Sequence, residues 1–211
     1  MRGNLFVVSA PSGAGKTSLV RSLLVSNQQL DISVSYTTRA PRPSEIDGED
    51  YHFVSHETFL NMEKHGDFVE NAEVYGNLYG TSKSWIEAEI LSGRDILLEI
   101  DWQGATQVRR TFSDCISIFI LPPSLQALEN RLHARGQDGA KVIAQRLHAA
   151  KEDIAHVVEF DYVIINDELG IALQQLNAIV VAAGLRRDRQ LARQQTLINQ
   201  LQQGEITPWP A

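Results

Sequence analysis

Ser9-Ala-Pro-Ser-Gly-Ala-Gly-Lys-Thr17 brings together the groups needed to hold a chain of phosphates. The backbone N–H groups of a glycine-rich turn point inward, and a helix starting just after it adds its positive end. An oxyanion can then be cradled without a charged side chain at every oxygen. Lys16 would reach the β- and γ-phosphates of a nucleoside triphosphate, and the Thr17 hydroxyl suits Mg²⁺. Gly13 and Gly15 supply backbone freedom that other residues lack. Ala10, Pro11, Ser12 and Ala14 complete the loop. Ala10 replaces the first glycine of the general pattern, but the phosphate-facing amides come from later residues. The loop implies triphosphate binding and leaves the reaction open.

Other charged groups are spaced for the same kind of work. Arg131 and Arg135 are four apart on one predicted helix face, so they point the same way. Gly136-Gln-Asp-Gly139 then makes a joint before a second helix carrying Arg146. Asp101 ends the apolar run 96–100, where alternation puts Leu97, Glu99 and Asp101 on one side and Ile96, Leu98 and Ile100 on the other. Carboxylates at the C-terminal end of a parallel strand face the crevice where ligands bind in such sheets.

These groups need a rigid frame, and the apolar pattern supplies one. Nearly continuous apolar runs at 5–9, 96–100, 116–121 and 162–165 read as strands covered on both faces. Helical periodicity follows or separates them at 17–24, 82–91, 124–134, 142–158 and 169–182. Gly93 is a natural helix stop and Ser124 a natural N-cap. The alternation predicts an α/β fold, a parallel sheet flanked by helices with right-handed crossovers. Residues 33–81 break the rhythm with two short β-like pieces, 51–54 and 68–75, and a helix near 56–65, as an inserted lobe would. From Leu185 the chain is rich in Gln and Arg with apolar positions at 191, 197, 198 and 201. That spacing predicts an amphipathic tail, either self-associating or packed as an independent helix.

With 211 residues, 43% of them hydrophobic, the chain can bury one sizeable core. A net charge of −7 argues against nucleic-acid and anionic membrane partners, so cations that hold anionic ligands must be concentrated locally. No apolar run approaches the roughly 18–20 residues that span a bilayer, and no leader segment is evident at the start. The lone cysteine, Cys115, sits in an apolar run and reads as a buried small hydrophobe. A cytoplasmic location is expected. The six histidines lack metal-ligand spacing.

Further segments, in order with the loop, resemble the guanylate kinase family, most closely its bacterial members. They are Ser33-Val-Ser-Tyr-Thr-Thr-Arg-Ala-Pro-Arg42, the run 48–53, Glu70 through Tyr75-Gly-Asn-Leu-Tyr-Gly-Thr81, Ile100-Asp-Trp-Gln-Gly104 and Ile165-Asn-Asp167. The resemblance covers residues 5 to 183. It implies a P-loop NTPase-type core (1–34 and 82–184), a mixed α/β GMP-binding lobe (35–81) and a small helical lid (135–147), leaving 185–211 as a helical tail. It also implies an ATP:GMP phosphotransferase that uses Mg²⁺ and accepts GMP or dGMP.

By the same resemblance, Arg39, Arg42, Tyr51 and Tyr79 would hold the GMP phosphate, the guanidinium forks suiting oxyanions. Glu70 would read guanine, with Ser35 and Thr81 completing the base pocket. Asp101 would contact the guanine or order water around a Mg²⁺ held by Thr17. Lys16, Arg39, Arg135 and Arg146 would serve catalysis, Arg131 the ATP phosphates and Asn166 the adenine. Two departures stand out: Thr81 where some members carry Ser, and Glu99 where the family usually has Asp. A phosphopeptide-binding module of the same fold would have a degraded loop, whereas Gly13, Gly15, Lys16 and Thr17 are intact. A kinase for phosphorylated sugars would have no use for Glu70 and Thr81 beside tyrosines.

Overall fold

The computed structural model describes residues 2–74, 76–134 and 139–204. In chain order the elements are β1 (Leu5–Ser9), α1 (Lys16–Ser26), β2 (Leu30–Ile32), β3 (Tyr36–Thr37), β4 (His52–Phe53), α2 (His56–His65), β5 (Phe68–Val74) and β6 (Asn77–Ser82). Then come α3 (Lys83–Ser92), β7 (Asp95–Glu99), α4 (Trp102–Thr111), β8 (Ile116–Leu121), α5 (Leu125–Ala134) and α6 (Ala140–Ala155). A 3₁₀ turn (His156–Glu159), β9 (Tyr162–Ile165), α7 (Leu169–Gly184), α8 (Arg187–Arg193) and α9 (Gln195–Gln203) follow.

Five parallel strands form the main sheet in the order β2-β7-β1-β8-β9, with β1 central and wholly buried. Alternation sorts the strand residues between two cores. Phe6, Val8, Leu97, Ile118 and Ile164 pack against α1 and α7, while Leu5, Val7, Ile96, Leu98 and Phe119 pack against α3 and α4. Helices thus cover both faces, the arrangement expected of near-continuous apolar strands. Cys115 is buried in the second core.

A second, mixed sheet runs β4-β3-β6-β5. Its main feature is the β5–β6 hairpin, entered through Gly76 at φ 78° and irregular between Phe68 and Glu70. Phe59 of α2 stacks on Phe68 at 4.5 Å, and any Cβ on Gly80 would lie within 3.0 Å of both rings, so only glycine fits there. The α5–α6 pair closes over its own small core of Leu128, Leu132, Ile143 and Ala150.

The structure differs from the sequence reading at several points. β2 is a three-residue edge strand not anticipated. The β-like piece 68–75 is only the outgoing half of a hairpin whose return strand is β6. Helix α4 was unforeseen: it begins where Asp101 caps it, its Oδ1 accepting from the Gly104 N–H at 2.8 Å. The helix expected over 142–158 starts at Ala140 and ends in the 3₁₀ turn, and the tail forms two helices rather than one. Gly93 (φ 97°) ends α3, and the Ser124 Oγ accepts from the Ala127 N–H at 3.0 Å, as expected. Tyr75, Arg135 and the 205–211 end of the tail lie outside the described residues. Among the described residues no single helix is long and apolar enough to cross a membrane.

Candidate active site

β1 ends in the glycine-rich loop at the C-terminal edge of the sheet, beside the ends of β7 and β8. Ser9 Oγ donates to the Ile100 carbonyl at 2.7 Å, tying the start of the loop to the end of β7. Gly13 and Gly15 both adopt positive φ, 95° and 94°, where a side chain would be strained. Helix α1 starts at once after Gly15 with neither a side-chain cap nor an acidic residue in its first turn. Its open N–H groups and positive end therefore face the loop. Lys16 Nζ donates to the Ile100 carbonyl at 2.9 Å, and the Thr17 hydroxyl donates to Glu99 Oε1 at 2.5 Å. The sequence departure at Glu99 thus falls directly against Thr17.

On the far side of the loop, Asn166 is 4% exposed and its Nδ2 donates to the Ala14 carbonyl at 2.7 Å. A Cβ on Gly15 would come within 2.3 Å of that nitrogen, so the glycine also makes room for Asn166. Arg131 donates to the Ala14 and Asn166 carbonyls at 3.4 and 2.8 Å, and Arg146 reaches Ser12 Oγ at 3.4 Å. A cavity of about 410 Å³ opens here, lined by Gly13, Gly15, Ser18, Arg131, Asn166 and Asp167 among others.

The second sheet carries another cationic centre. Arg39 Nη2 donates to Glu45 Oε1 at 2.8 Å, while the Arg42 main-chain N–H donates to Glu45 Oε2 at 2.8 Å. Arg39 lies over the rings of Tyr51 and Phe53, 5.4 and 5.8 Å from their centroids, and Tyr51 meets Tyr79 edge to face at 5.9 Å. The hydrogen bond to Glu45 raises the Arg39 pKa, reinforced by Tyr79 and opposed by burial. The same bond lowers the Glu45 carboxyl pKa. Burial first, then the Tyr79 neighbour, raises the Tyr51 phenol. The Arg42 side chain is 66% exposed and makes a looser ion pair with Glu45, Nη1 to Oε1 at 3.7 Å.

Glu70 of β5 is 4% exposed. Thr81 Oγ1 donates to Glu70 Oε1 at 2.5 Å, and Ser35 Oγ lies 3.3 Å from Thr81 Oγ1. Burial pushes the Glu70 carboxyl up to about 7; Asp101 adds to the shift, while the Thr81 bond and Lys16 oppose it. Glu70, Lys16 and Asp101 therefore share one electrostatic neighbourhood.

Two residues of the site escaped the sequence reading. Glu45 lies in a polar loop, where a carboxylate three residues after Arg42 was the available hint. Asp153 of α6 faces the Trp102 indole, and burial followed by Asp101 raises its carboxyl pKa. Its spacing on an amphipathic helix carried no such hint.

Residues 2–183 match the family model for guanylate kinase. The chain is 56% identical over 201 residues to a guanylate kinase of Methylobacillus flagellatus, covering 95% of this chain and all of that one. It is also 56% identical to a guanylate kinase of Thiobacillus denitrificans, over 94% of this chain and 95% of the relative. The crystal structure of guanylate kinase from Anaplasma phagocytophilum superposes with a TM-score of 0.75 at 32% identity, covering 98% of this chain and 97% of that one. Fold, motif order and full-length similarity agree, and the chain belongs to the guanylate kinase family.

Proposed function

We propose that this protein transfers the γ-phosphoryl group of ATP to GMP or dGMP, giving ADP and the corresponding guanosine diphosphate. The observation that carries the reading is Glu70, a buried carboxylate oriented by Thr81 with Lys16 and Asp101 as its charged neighbours. Guanine presents N1–H and its 2-amino group side by side, and an ionised carboxylate accepts from both. Adenine would leave that carboxylate unpaired, and sites built this way discriminate by about 10⁴-fold.

In this reading residues 1–34 and 82–184 form the nucleotide-binding core, 35–81 the GMP lobe, 135–147 a lid and 185–211 a tail. The main-chain amides of residues 10–17 and Lys16 hold the ATP phosphates. Arg131, Arg135 and Arg146 add positive charge once the lid closes and expels water. Asn166 belongs to the adenine side, where it lines the cavity beside the loop. Ser35, Glu70, Thr81 and Asp101 take the base. Arg39, Arg42, Tyr51 and Tyr79 take the GMP phosphate, with Arg39 exchanging Glu45 for the incoming oxyanion. The inclusion of dGMP rests on the family resemblance. The attacking phosphate oxygen is already an anion and needs no general base.

The donor set fits Mg²⁺. The Thr17 hydroxyl beside Glu99, with Asp101 two residues on, offers the oxygen ligands that this hard cation prefers. Among the described residues no group of three His, Cys, Asp or Glu side chains could hold a metal alone, so the ion would share phosphate oxygens. Bound there, Mg²⁺ would neutralise charge on the β- and γ-phosphates. A cytoplasmic setting suits the buried, unpaired Cys115.

The test is a coupled assay of ADP release with GMP, dGMP, AMP, UMP and CMP. Saturable turnover with the two guanine nucleotides alone is expected, and equal rates with AMP would refute the base assignment. We also propose that the tail mediates self-association. Leu191, Leu197 and Leu201 are 45%, 49% and 67% exposed, an apolar area that a second copy would cover. Truncation after residue 184 should lower the sedimenting mass, and an unchanged mass would reject this.

A further inference from the structure

Gly104 occupies the first turn of α4, where alanine would ordinarily be the better helix former. Its φ is not positive, so backbone conformation does not require a glycine here. The reason is steric. A Cβ on residue 104 would stand 2.6 Å from Glu70 Oε2, 3.2 Å from Glu70 Cδ and 3.3 Å from Ile100 Cδ1. The first distance lies far inside van der Waals contact.

The helix cannot simply retreat. One turn on, Gln107 Oε1 accepts from the Asn71 N–H at 3.1 Å, and Gln107 Nε2 donates to the Asn71 carbonyl at 2.8 Å. Asn71 follows Glu70 in β5, so α4 is bonded at two points to the strand that carries the base-reading carboxylate. Gly104 is itself fixed, its N–H bonded to the Asp101 cap. With strand and helix tied together, an added methyl must turn the carboxylate aside.

We infer that Gly104 is a specificity-positioning residue: its bare face sets where Glu70 Oε2 stands, as the Thr81 hydroxyl sets Oε1. This rests on the reading of Glu70 as the guanine acceptor. Two adjacent donors on a base require both carboxylate oxygens in one plane and at one depth. The assembly has two walls, a hydroxyl on one side and an absent side chain on the other. The chemistry recognised is a purine with adjacent ring N–H and amino donors.

Gly104→Ala should raise KM for GMP tenfold or more, with kcat at saturating GMP and KM for ATP each within about threefold of wild type. Its melting temperature should fall only modestly, because the gain in helix preference offsets part of the overpacking cost. Glu70→Asp, whose carboxylate is one methylene shorter, supplies the second background. There the Gly104→Ala change should cost less than twofold in KM. An unchanged KM for GMP in the single variant, an equal penalty in both backgrounds, or a matching rise in KM for ATP would each overturn the inference. The Glu70 carboxyl titration, followed by ¹³C NMR in wild type and Gly104→Ala, separates the two levels of the argument. A wild type inert toward GMP sinks the functional reading. An unmoved Glu70 titration in Gly104→Ala sinks the positioning role whatever the substrate is.

Discussion

Glu70→Gln is expected to raise KM for GMP about a hundredfold and to bring the preference for GMP over AMP within about tenfold. In the proposed reading the carboxylate accepts two hydrogen bonds from guanine. An amide can accept one but sets its own NH₂ against a guanine donor. Losing one charge-assisted bond and leaving a donor pair unsatisfied costs about 3 kcal/mol, equivalent to about a hundredfold. The result that would discard this account is a KM for GMP within threefold of wild type.

The same side chain gives the acceptor kinetics a pH dependence. Burial holds the Glu70 carboxyl at about 7. Below that pH the ionised fraction falls tenfold per unit, so KM for GMP should climb as pH drops from 7 to 5. The GMP phosphate itself titrates near pH 6, which adds a second inflection. Glu70→Gln keeps only the phosphate inflection, so the difference between the two profiles isolates the carboxyl. For stability the sign is opposite to that of a salt-bridged acid. Because the folded pKa is raised from 4.5, folding favours the protonated form, and stability is lost as pH rises from about 4.5 through 7. That loss is about 3 kcal/mol, so Glu70→Gln should melt higher than wild type at pH 8.

Lys16→Ala should lower kcat by about a thousandfold with the fold intact. A cation already positioned where charge accumulates in phosphoryl transfer is worth about 4 kcal/mol of barrier. Its ammonium rests on the Ile100 carbonyl, just past the end of β7. Lys16 also holds the Glu70 pKa down, so its loss should move the acid limb of the GMP profile upward. A variant with depressed kcat but an unmoved acid limb would show that the two ends of the site are electrostatically separate.

Much of this arrangement was readable in the residues themselves. The strands at 5–9 and 116–121 announced themselves because burial on both faces leaves little room for polar residues in the apolar run. The half-exposed edge strand 162–165 did so because Tyr, Val and Ile favour strands. The phosphate loop is local, and its chemistry depends on residues next to one another. Helix α4 escaped because its inward face is made by Gly104, Ala105 and Val108, too small a set to register as an apolar stripe. The β5–β6 hairpin escaped because Gly80 replaces an apolar residue where two phenyl rings need the space. Glu45 and Asp153 look like ordinary solvated acids until the fold brings Arg39 to one and Trp102 to the other. Asn166 and Ala14 are bonded across 152 positions of sequence, a relation no spacing argument reaches.

The Arg39–Glu45 pair has a consequence for turnover. A guanidinium left bare in this aromatic corner would grip any passing oxyanion, product included, and the grip would have to be broken in every cycle. With a resident carboxylate ready to take back the vacated fork, an arriving phosphate gains only the difference between two anions, and a departing one leaves no naked cation behind. The tether weakens capture, and by the same amount it eases escape, which suits an enzyme that must release one guanine nucleotide to receive the next.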